Sequence, residues 1–207
     1  MTSEIDFLLN ANNKIRIEVP DVLAKFTYFY ESTEKLHKFD VITVYFIDND
    51  KKVIIYQDML DDFILPFHIL LKRALNNILS LPKEITVGNA LLTLNDNLNE
   101  RTPTDMTPYW LASTVKGKTA TLLYTFNNTI YLEIGIVYPW TFLEPTSADK
   151  YITYDEFIKN YKPLLVEVIP HEIAKQWLTK SEEILKSAEI DYQTFVQNAL
   201  NQINKGS

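Results

Sequence analysis

The segment from Tyr109 to Phe142, YWLASTVKGKTATLLYTFNNTIYLEIGIVYPWTF, is rich in β-branched and aromatic residues that alternate with polar ones. This composition and this period of two are typical of β-strands. Two turn sequences divide the segment, Lys116-Gly117-Lys118 and Asn127-Asn128, and both contain residues that accept positive φ at low cost. The segment therefore predicts three consecutive antiparallel strands, and Tyr138-Pro139-Trp140 closes the third.

The third predicted strand separates its residues into two faces. One face is aliphatic and the other is mixed: Ile130, Leu132, Ile134 and Ile136 against Tyr131, Glu133, Gly135 and Val137. Antiparallel sheets commonly bury one face and leave the other in contact with water. We therefore expect helices to cover the aliphatic face and Glu133 to be a solvent-facing strand charge.

The first third of the chain also predicts strands. Lys14–Val19 alternates isoleucine and valine with charged residues, and the stretches Val41–Ile47 and Val53–Gln57 flank the polar turn Asp48–Lys52, as in a β-hairpin. Lys25–Glu31 fits either a strand or a helix face, and its aromatic residues favour a strand.

The period then changes from two to the helical 3.6. Leu60–Leu81 carries apolar residues at i, i+3 and i+4 spacing, which predicts the main helix, and Pro82 ends it. Asp58, Asp61 and Asp62 stand at its start, where carboxylates favour the positive end of the helix dipole.

Residues 83–108 are less regular. Ile85, Val87 and the stretch Ala90–Leu94 predict short strands, and Asn95–Pro108 predicts a loop that is long for a connection between elements. Loops of this length often carry function, so this one is a candidate binding loop.

The end of the chain predicts helices. Tyr154–Tyr161 is preceded by Thr153 with Glu156 three residues on, which is a capping-box pattern. One strand and two longer helices complete the pattern: Leu164–Val168, Pro170–Ala188 and Tyr192–Ile203.

Together these segments predict a single α+β domain over residues 1–207, with a mainly antiparallel sheet, helices packed on one face and a C-terminal helical pair. Its parts are a strand-rich region, the main helix, the three-strand segment and the helical end: 14–58, 60–81, 109–137 and 154–204.

The composition argues against several kinds of chemistry. The 207 residues include 4 glycines, so a glycine-rich phosphate loop is not expected, and no cysteine, so disulfides, thiolate metal sites and thiol catalysis are ruled out. We expect no cofactor. The N-terminal stretch lacks the pattern of a signal peptide and no apolar run is long enough to span a bilayer, so we expect a cytoplasmic protein.

The net charge of −7 bears on partners. An acidic surface disfavours nucleic acids, which bind basic stripes, and it is compatible with a basic protein partner. Solubility alone also accounts for such a charge.

The candidate metal motifs fail on spacing. His171-Glu172-Ile173-Ala174-Lys175 resembles a zinc-protease helix, but lysine stands where the second histidine is needed. His37 and His68 have no metal spacing. Asp48 and Asp50 begin like a calcium loop, and the residues that should follow are absent.

The remaining candidates are binding residues. They are acidic residues of the hairpin, helix start and loop, together with aromatic residues that flank the three-strand segment: Asp48, Asp50, Asp58, Asp61, Asp62, Glu100, Asp105, Tyr109, Trp110, Tyr138 and Trp140. Tyrosine and tryptophan are enriched at interfaces and equally common at core edges, so the aromatic members fit either role.

Two stretches resemble immunity proteins, which neutralise the toxins of bacterial polymorphic-toxin and contact-dependent growth-inhibition systems. They are the hairpin leading into the main helix, VIIYQDMLDDFILPFHILLKRAL, and the strand pair LLYTFNNTIYLEIGIVYPW. The resemblance covers residues 41–142 and carries over no individual residue. It implies a non-enzymatic cytoplasmic protein that binds a cognate toxin domain. From the acidic charge and the short apolar runs we expect no nucleic-acid and no membrane partner.

Two other functions stay open. One is an enzyme acting on a small molecule or carbohydrate with dispersed carboxylates, for which Glu133 is the kind of residue required. The other is a structural or regulatory subunit that dimerises through a sheet edge or the C-terminal helices.

Overall fold

The computed structural model describes residues 3–19, 36–114, 118–141, 144–147, 150–188 and 190. Its strands are β1 Ser3–Leu8, β2 Asn13–Val19, β3 Val41–Asp48, β4 Lys51–Met59, β5 Trp110–Ser113, β6 Thr119–Phe126, β7 Thr129–Ile136 and β8 Leu165–Ile169. Its helices are α1 Leu60–Leu75, α2 Ala90–Leu98, α3 Tyr154–Lys159 and α4 His171–Ser187, with 3₁₀ turns at Thr107–Tyr109 and Pro139–Thr141. The predicted α+β class is confirmed.

The strands form two antiparallel sheets of four, ordered β1-β2-β3-β4 and β5-β6-β7-β8. The predicted run of three strands is confirmed as β5, β6 and β7, with Leu123 opposite Leu132 in the central pair. Asn127 and Asn128 both have positive φ, 47° and 63°, as the two-residue hairpin turn requires. The second sheet is completed by β8, from much later in the chain.

The strand β1 is not among the predicted strands. It pairs with β2 so that Phe7 lies opposite Ile15 and Asp6 lies opposite Arg16. The guanidinium of Arg16 donates from Nε to Asp6 Oδ1 at 2.7 Å, and the ammonium of Lys14 lies 2.7 Å from Asp6 Oδ2. The pattern of a strand is present in the sequence, since Ile5 and Phe7 alternate with Glu4 and Asp6, but it is not among the predicted segments.

The main helix is shorter than predicted. α1 ends at Leu75, where Asn77 adopts a φ of 55° and Ile78 donates its amide to the Arg73 carbonyl at 2.9 Å. The chain then extends, and Leu81 donates its amide to Thr125 of the second sheet. Of the apolar residues after Leu75, Leu79 and Leu81 remain buried although they are no longer helical, whereas Ile78 is exposed.

The prediction of strands within residues 83–108 is wrong. Ala90–Leu98 is the helix α2, whose buried side chains at Ala90, Leu91 and Leu94 pack against the second sheet, and Ile85 and Val87 lie in turns. A short apolar run cannot be assigned to strand or helix by periodicity alone. The predicted loop therefore begins only after Leu98.

The predicted capping box is confirmed: Thr153 accepts the Glu156 amide through its hydroxyl, and the Glu156 side chain accepts the Thr153 amide. Pro170 directly precedes α4. The predictions for Lys25–Glu31 and Tyr192–Ile203 fall outside the described residues.

One large apolar core joins residues of both sheets with α1 and α4. Within it, the rings of Phe67 and Trp177 lie 5.8 Å apart, and His68 Nδ1 lies 2.9 Å from the Ser181 hydroxyl. A second core lies on the opposite face of the second sheet, beneath α2. That sheet is consequently buried on both faces, which corrects the expected solvent-facing side.

No helix in the described part of the chain has the length and apolar character needed to cross a membrane.

Candidate functional site

One end of the first sheet brings predicted acidic residues together beside exposed apolar ones. The segments 38–41 and 58–62 meet there, and we call this surface the acidic end. Val41 lies opposite Met59 in the β3–β4 pair. Two backbone bonds extend the contact beyond the strands: Leu60 donates to the Asp40 carbonyl at 2.9 Å, and Asp61 donates to the Lys38 carbonyl at 3.1 Å. The surface therefore rests on the hairpin and on the first turn of α1.

Three carboxylates concentrate negative charge on the acidic end. Partial burial raises the pKa of Asp62, and the neighbouring carboxylates of Asp61 and Asp58 raise it further. Burial raises the pKa of Tyr56 as well, and the same three aspartates add to this effect. No described lysine or arginine forms an ion pair with any of the three.

Apolar side chains lie exposed beside these carboxylates. Phe39, Val41 and Met59 are between 40 and 48% exposed. The ammonium of Lys38 lies 4.9 Å from the centroid of the Phe39 ring, so one cation is present at the edge. An acidic cluster that flanks apolar side chains is the composition of a protein-binding patch.

The structure separates the predicted acidic residues into three places. Asp48 and Asp50 lie at the turn of the β3–β4 hairpin, the end opposite to Asp58. Seven or eight residues of β4 lie between Asp58 and the turn, and at about 3.3 Å per residue they separate the two groups by roughly 25 Å. Asp58, Asp61 and Asp62 share one surface, and Asp48 and Asp50 are not part of it.

The residues of the predicted binding loop form a third place. Glu100 is exposed with a φ of 57°, and Asp105 accepts the Thr107 amide at 2.9 Å. Tyr109 donates its hydroxyl to the Ser80 carbonyl at 2.8 Å, and Trp110 is part-buried at the start of β5. These residues connect the loop to the second sheet.

Tyr138 and Trp140 pack against neighbouring side chains and are not exposed anchors. Tyr138 is buried, donates its hydroxyl to the Ile152 carbonyl at 2.9 Å, and donates its amide to Asn95 Oδ1 at 2.7 Å. The Trp140 ring is part-buried and lies 6.0 Å from the Tyr151 ring. Of the two roles open to these aromatics, the geometry places them in packing.

A buried carboxylate lies where a solvent-facing one was expected. Glu133 is 0% exposed, because α2 covers its face of β7. Its Oε1 accepts the Leu91 amide at 2.9 Å, and its Oε2 accepts the Gly88 amide at 3.1 Å and the Tyr124 hydroxyl at 2.7 Å. Burial raises the pKa of Glu133, and these hydrogen bonds oppose the rise. The carboxylate holds the N-terminus of α2, which has no side-chain cap of its own.

Apart from Gly135, nothing in the sequence marks this role of Glu133. Gly135 lies two residues on and on the same face, where an added Cβ would collide with the Tyr161 hydroxyl. That hydroxyl is buried without a hydrogen-bond partner among the described residues, and burial raises its pKa. The ring of Tyr161 also lines an open groove of about 300 Å³ together with Ile136, Ile152, Phe157, Glu156, Asn160 and Lys162.

His171 and His68 lie in different parts of the structure. His171 lies at the start of α4 with Nε2 3.2 Å from the Asn128 carbonyl, and His68 is buried between α1 and α4. Lys175 binds Glu172 at 2.8 Å instead of a metal. The described residues contain no group of three or more metal-ligating side chains.

Comparison of the chain with protein-family models, with curated proteins and with solved structures finds no match.

Proposed function

We propose that this chain is a non-enzymatic binding protein that docks a basic protein domain on its acidic end, as an immunity protein docks its toxin. One observation carries the proposal: Asp58, Asp61 and Asp62 are held together without ion-pair partners among the described residues, next to exposed Phe39, Val41 and Met59. A basic surface would supply the missing counter-charges.

The energetics favour a protein over a small ion as the ligand. Exposed charges at an interface rim contribute mostly to the rate of encounter, whereas neighbouring apolar side chains lose water on binding and retain the partner. The acidic end offers both, and the overall charge of −7 extends the attraction beyond the contact itself. Such a protein would act in the cytoplasm, where its partner would otherwise be active.

The enzyme alternative has less support. Burial raises the pKa of Glu133, the candidate acid, but its oxygens are occupied by three donors of the protein itself. A general acid or base has to reach the substrate, at hydrogen-bond distance or through one water.

The test uses the protein encoded immediately upstream as the probe. We expect that protein to be toxic when expressed alone, and we expect co-expression of this chain to relieve the toxicity. The triple variant Asp58→Asn, Asp61→Asn, Asp62→Asn should bind the purified probe roughly tenfold or more weakly, since each lost charge pair is worth up to about 1 kcal/mol. Asparagine keeps the Oδ1 atoms that accept the Met59 and Asp62 amides.

The double variant Asp48→Asn, Asp50→Asn is the matched control, because it removes two charges at the far end of the same hairpin. It should bind within about twofold of the unaltered chain, and binding of the unaltered chain should weaken as salt rises. A non-toxic neighbour, or equal loss in both variants, would refute the proposal.

A further inference from the structure

The two sheets have four edge strands, and three of these edges are protected. Edge strands present unpaired backbone groups, which proteins cover or blunt to prevent unwanted pairing. The β1 edge is covered by α4: Trp177 donates its indole N–H to the Leu8 carbonyl at 2.9 Å, and Lys180 donates its ammonium to the Asp6 carbonyl at 2.7 Å.

The next two edges protect each other. β4 lies against β5 and β6, and the Thr119 hydroxyl of β6 donates to the Ile54 carbonyl of β4 at 3.3 Å. β5 is only four residues long, and α1 packs beside it. Short edges offer few groups for pairing.

The β8 edge has no such protection among the described residues. β8 pairs with β7 on one side, and on its other side no strand of the described part of the chain pairs with it. Val137, which directly follows β7, donates its amide to the Lys118 carbonyl on the β6 side. The odd-numbered residues of β7 therefore form backbone hydrogen bonds with β6, and the even-numbered residues form them with β8. Because Leu132 lies opposite Glu167, the backbone groups of Val166 and Val168 point away from β7.

The side chains on this edge are apolar. Leu164 and Val168 are 47% and 49% exposed, and the strand contains no lysine or arginine. Pro163 and Pro170 stand on either side, so a pairing strand would be confined to the few residues between them.

We infer that a second copy of this chain occupies the β8 edge, as an antiparallel β8–β8 pair about a two-fold axis at Val166. In this register each Val166 faces its own counterpart, and the Leu164 side chain of one copy lies beside Val168 of the other. The Leu164 amide already donates to the Ile134 carbonyl at 2.8 Å, so the backbone pairing is centred on Val166. Cross-strand pairs of this kind stabilise a sheet when they are apolar. The two second sheets become one continuous sheet of eight strands.

Charge selects this register over its neighbour. Centring the axis on Glu167 would set the two Glu167 carboxylates directly opposite each other, which is destabilising. Centring it on Val166 moves each Glu167 opposite Leu165 of the other copy. The Glu167 side chain also stays free to accept from Asn13 of its own chain, where the two groups lie 3.3 Å apart.

The proposed β8–β8 interface is small, and its two-fold symmetry limits the assembly to two copies. Stable dimers bury about 800 Å² per partner, and a pair of five-residue strands buries less. We therefore expect the dimer to form only at high protein concentration. A two-fold interface uses the same edge on both copies and leaves none open for further growth. It involves residues remote from the acidic end in sequence and is independent of the proposed function.

Sedimentation velocity and site-specific crosslinking test the dimer. The unaltered chain should shift from monomer to dimer as its concentration rises to several hundred micromolar, on the order expected for an interface of this size. Leu164→Lys and Val168→Lys should each keep the chain monomeric, because they set an ammonium among apolar side chains. Ile78→Lys, at an exposed apolar residue outside the sheets, should leave dimerisation unchanged.

Crosslinking tests the register, and the chain has no cysteine of its own to interfere. Val166→Cys should form an intermolecular disulfide on mild oxidation. Val168→Cys should not, because the two copies of residue 168 would lie about 13 Å apart at 3.3 Å per residue, beyond disulfide reach. A chain that is monomeric throughout, a dimer insensitive to both lysine variants, or stronger crosslinking at 168 than at 166 would overturn the inference.

Discussion

At the scale of single residues, Glu133 shows how tertiary contacts reverse an expectation from local pattern. The alternation of β7 places it correctly on the mixed face with Tyr131 and Gly135. That face is covered by α2 and by the chain before it, so the carboxylate meets backbone amides instead of water. Periodicity assigns residues to faces and does not report what lies above each face.

Glu133→Ala should be strongly destabilising. It leaves the Gly88 and Leu91 amides and the Tyr124 hydroxyl without their acceptor in a buried place, which costs about 3 kcal/mol or more of the free energy of unfolding. Glu133→Gln retains one oxygen acceptor and the same volume, so it should cost clearly less. Urea denaturation followed by circular dichroism measures both variants, and equal losses would contradict this role.

At the scale of elements, α4 acts as both a core helix and an edge cover. Its Trp177 fills the space beside Phe67 and also binds the Leu8 carbonyl. Its Lys180 reaches the Asp6 carbonyl with its ammonium, which lies 5.6 Å from the Phe7 ring centroid. The sequence predicts the apolar stripe of α4. It does not predict the contact of α4 with β1, because β1 lies more than 160 residues earlier in the chain.

Lys180→Met should lower the free energy of unfolding by about 1 kcal/mol, because it removes the cation that satisfies the β1 edge while it keeps the length of the side chain. Lys175→Met is the matched control on the same helix, since Lys175 binds only the exposed Glu172. It should change stability by less than about 0.5 kcal/mol. Thermal or urea unfolding compares the two, and similar effects would argue against an edge-covering role.

At the scale of the whole molecule, the pH dependence of stability follows from groups whose pKa differs between the folded and unfolded chain. The hydrogen bond from Arg16 is the largest cause that lowers the pKa of Asp6 to about 2, and Lys14 adds to it. A lowered folded pKa means stability that is present above the unfolded value and lost as pH falls. Burial lowers the pKa of His68, so a second loss begins as pH falls below the ordinary range of histidine.

Asp6→Asn isolates the first of these effects. The unaltered chain should be more stable than the variant at pH 7, and the difference should shrink as pH falls from about 4 to about 2, where Asp6 becomes protonated in both states. Chemical denaturation at a series of pH values measures the difference. A difference that stays constant over this range would show that the Asp6 carboxylate makes no charge-dependent contribution.

The amino-acid sequence by itself determined the α+β class, the β3–β4 hairpin, the run β5–β7 and the capping box of α3, because each depends on period or turn chemistry within a few residues. Tertiary structure alone decided the division into two sheets, the pairing of β1 with β2 and of β8 with β7, the end of α1 at Leu75 and the helical state of Ala90–Leu98. It also decided which acidic residues share a surface and that Glu133 is buried. These outcomes depend on contacts between residues far apart in the chain, and a local pattern records that a side chain is apolar or charged without recording its partner.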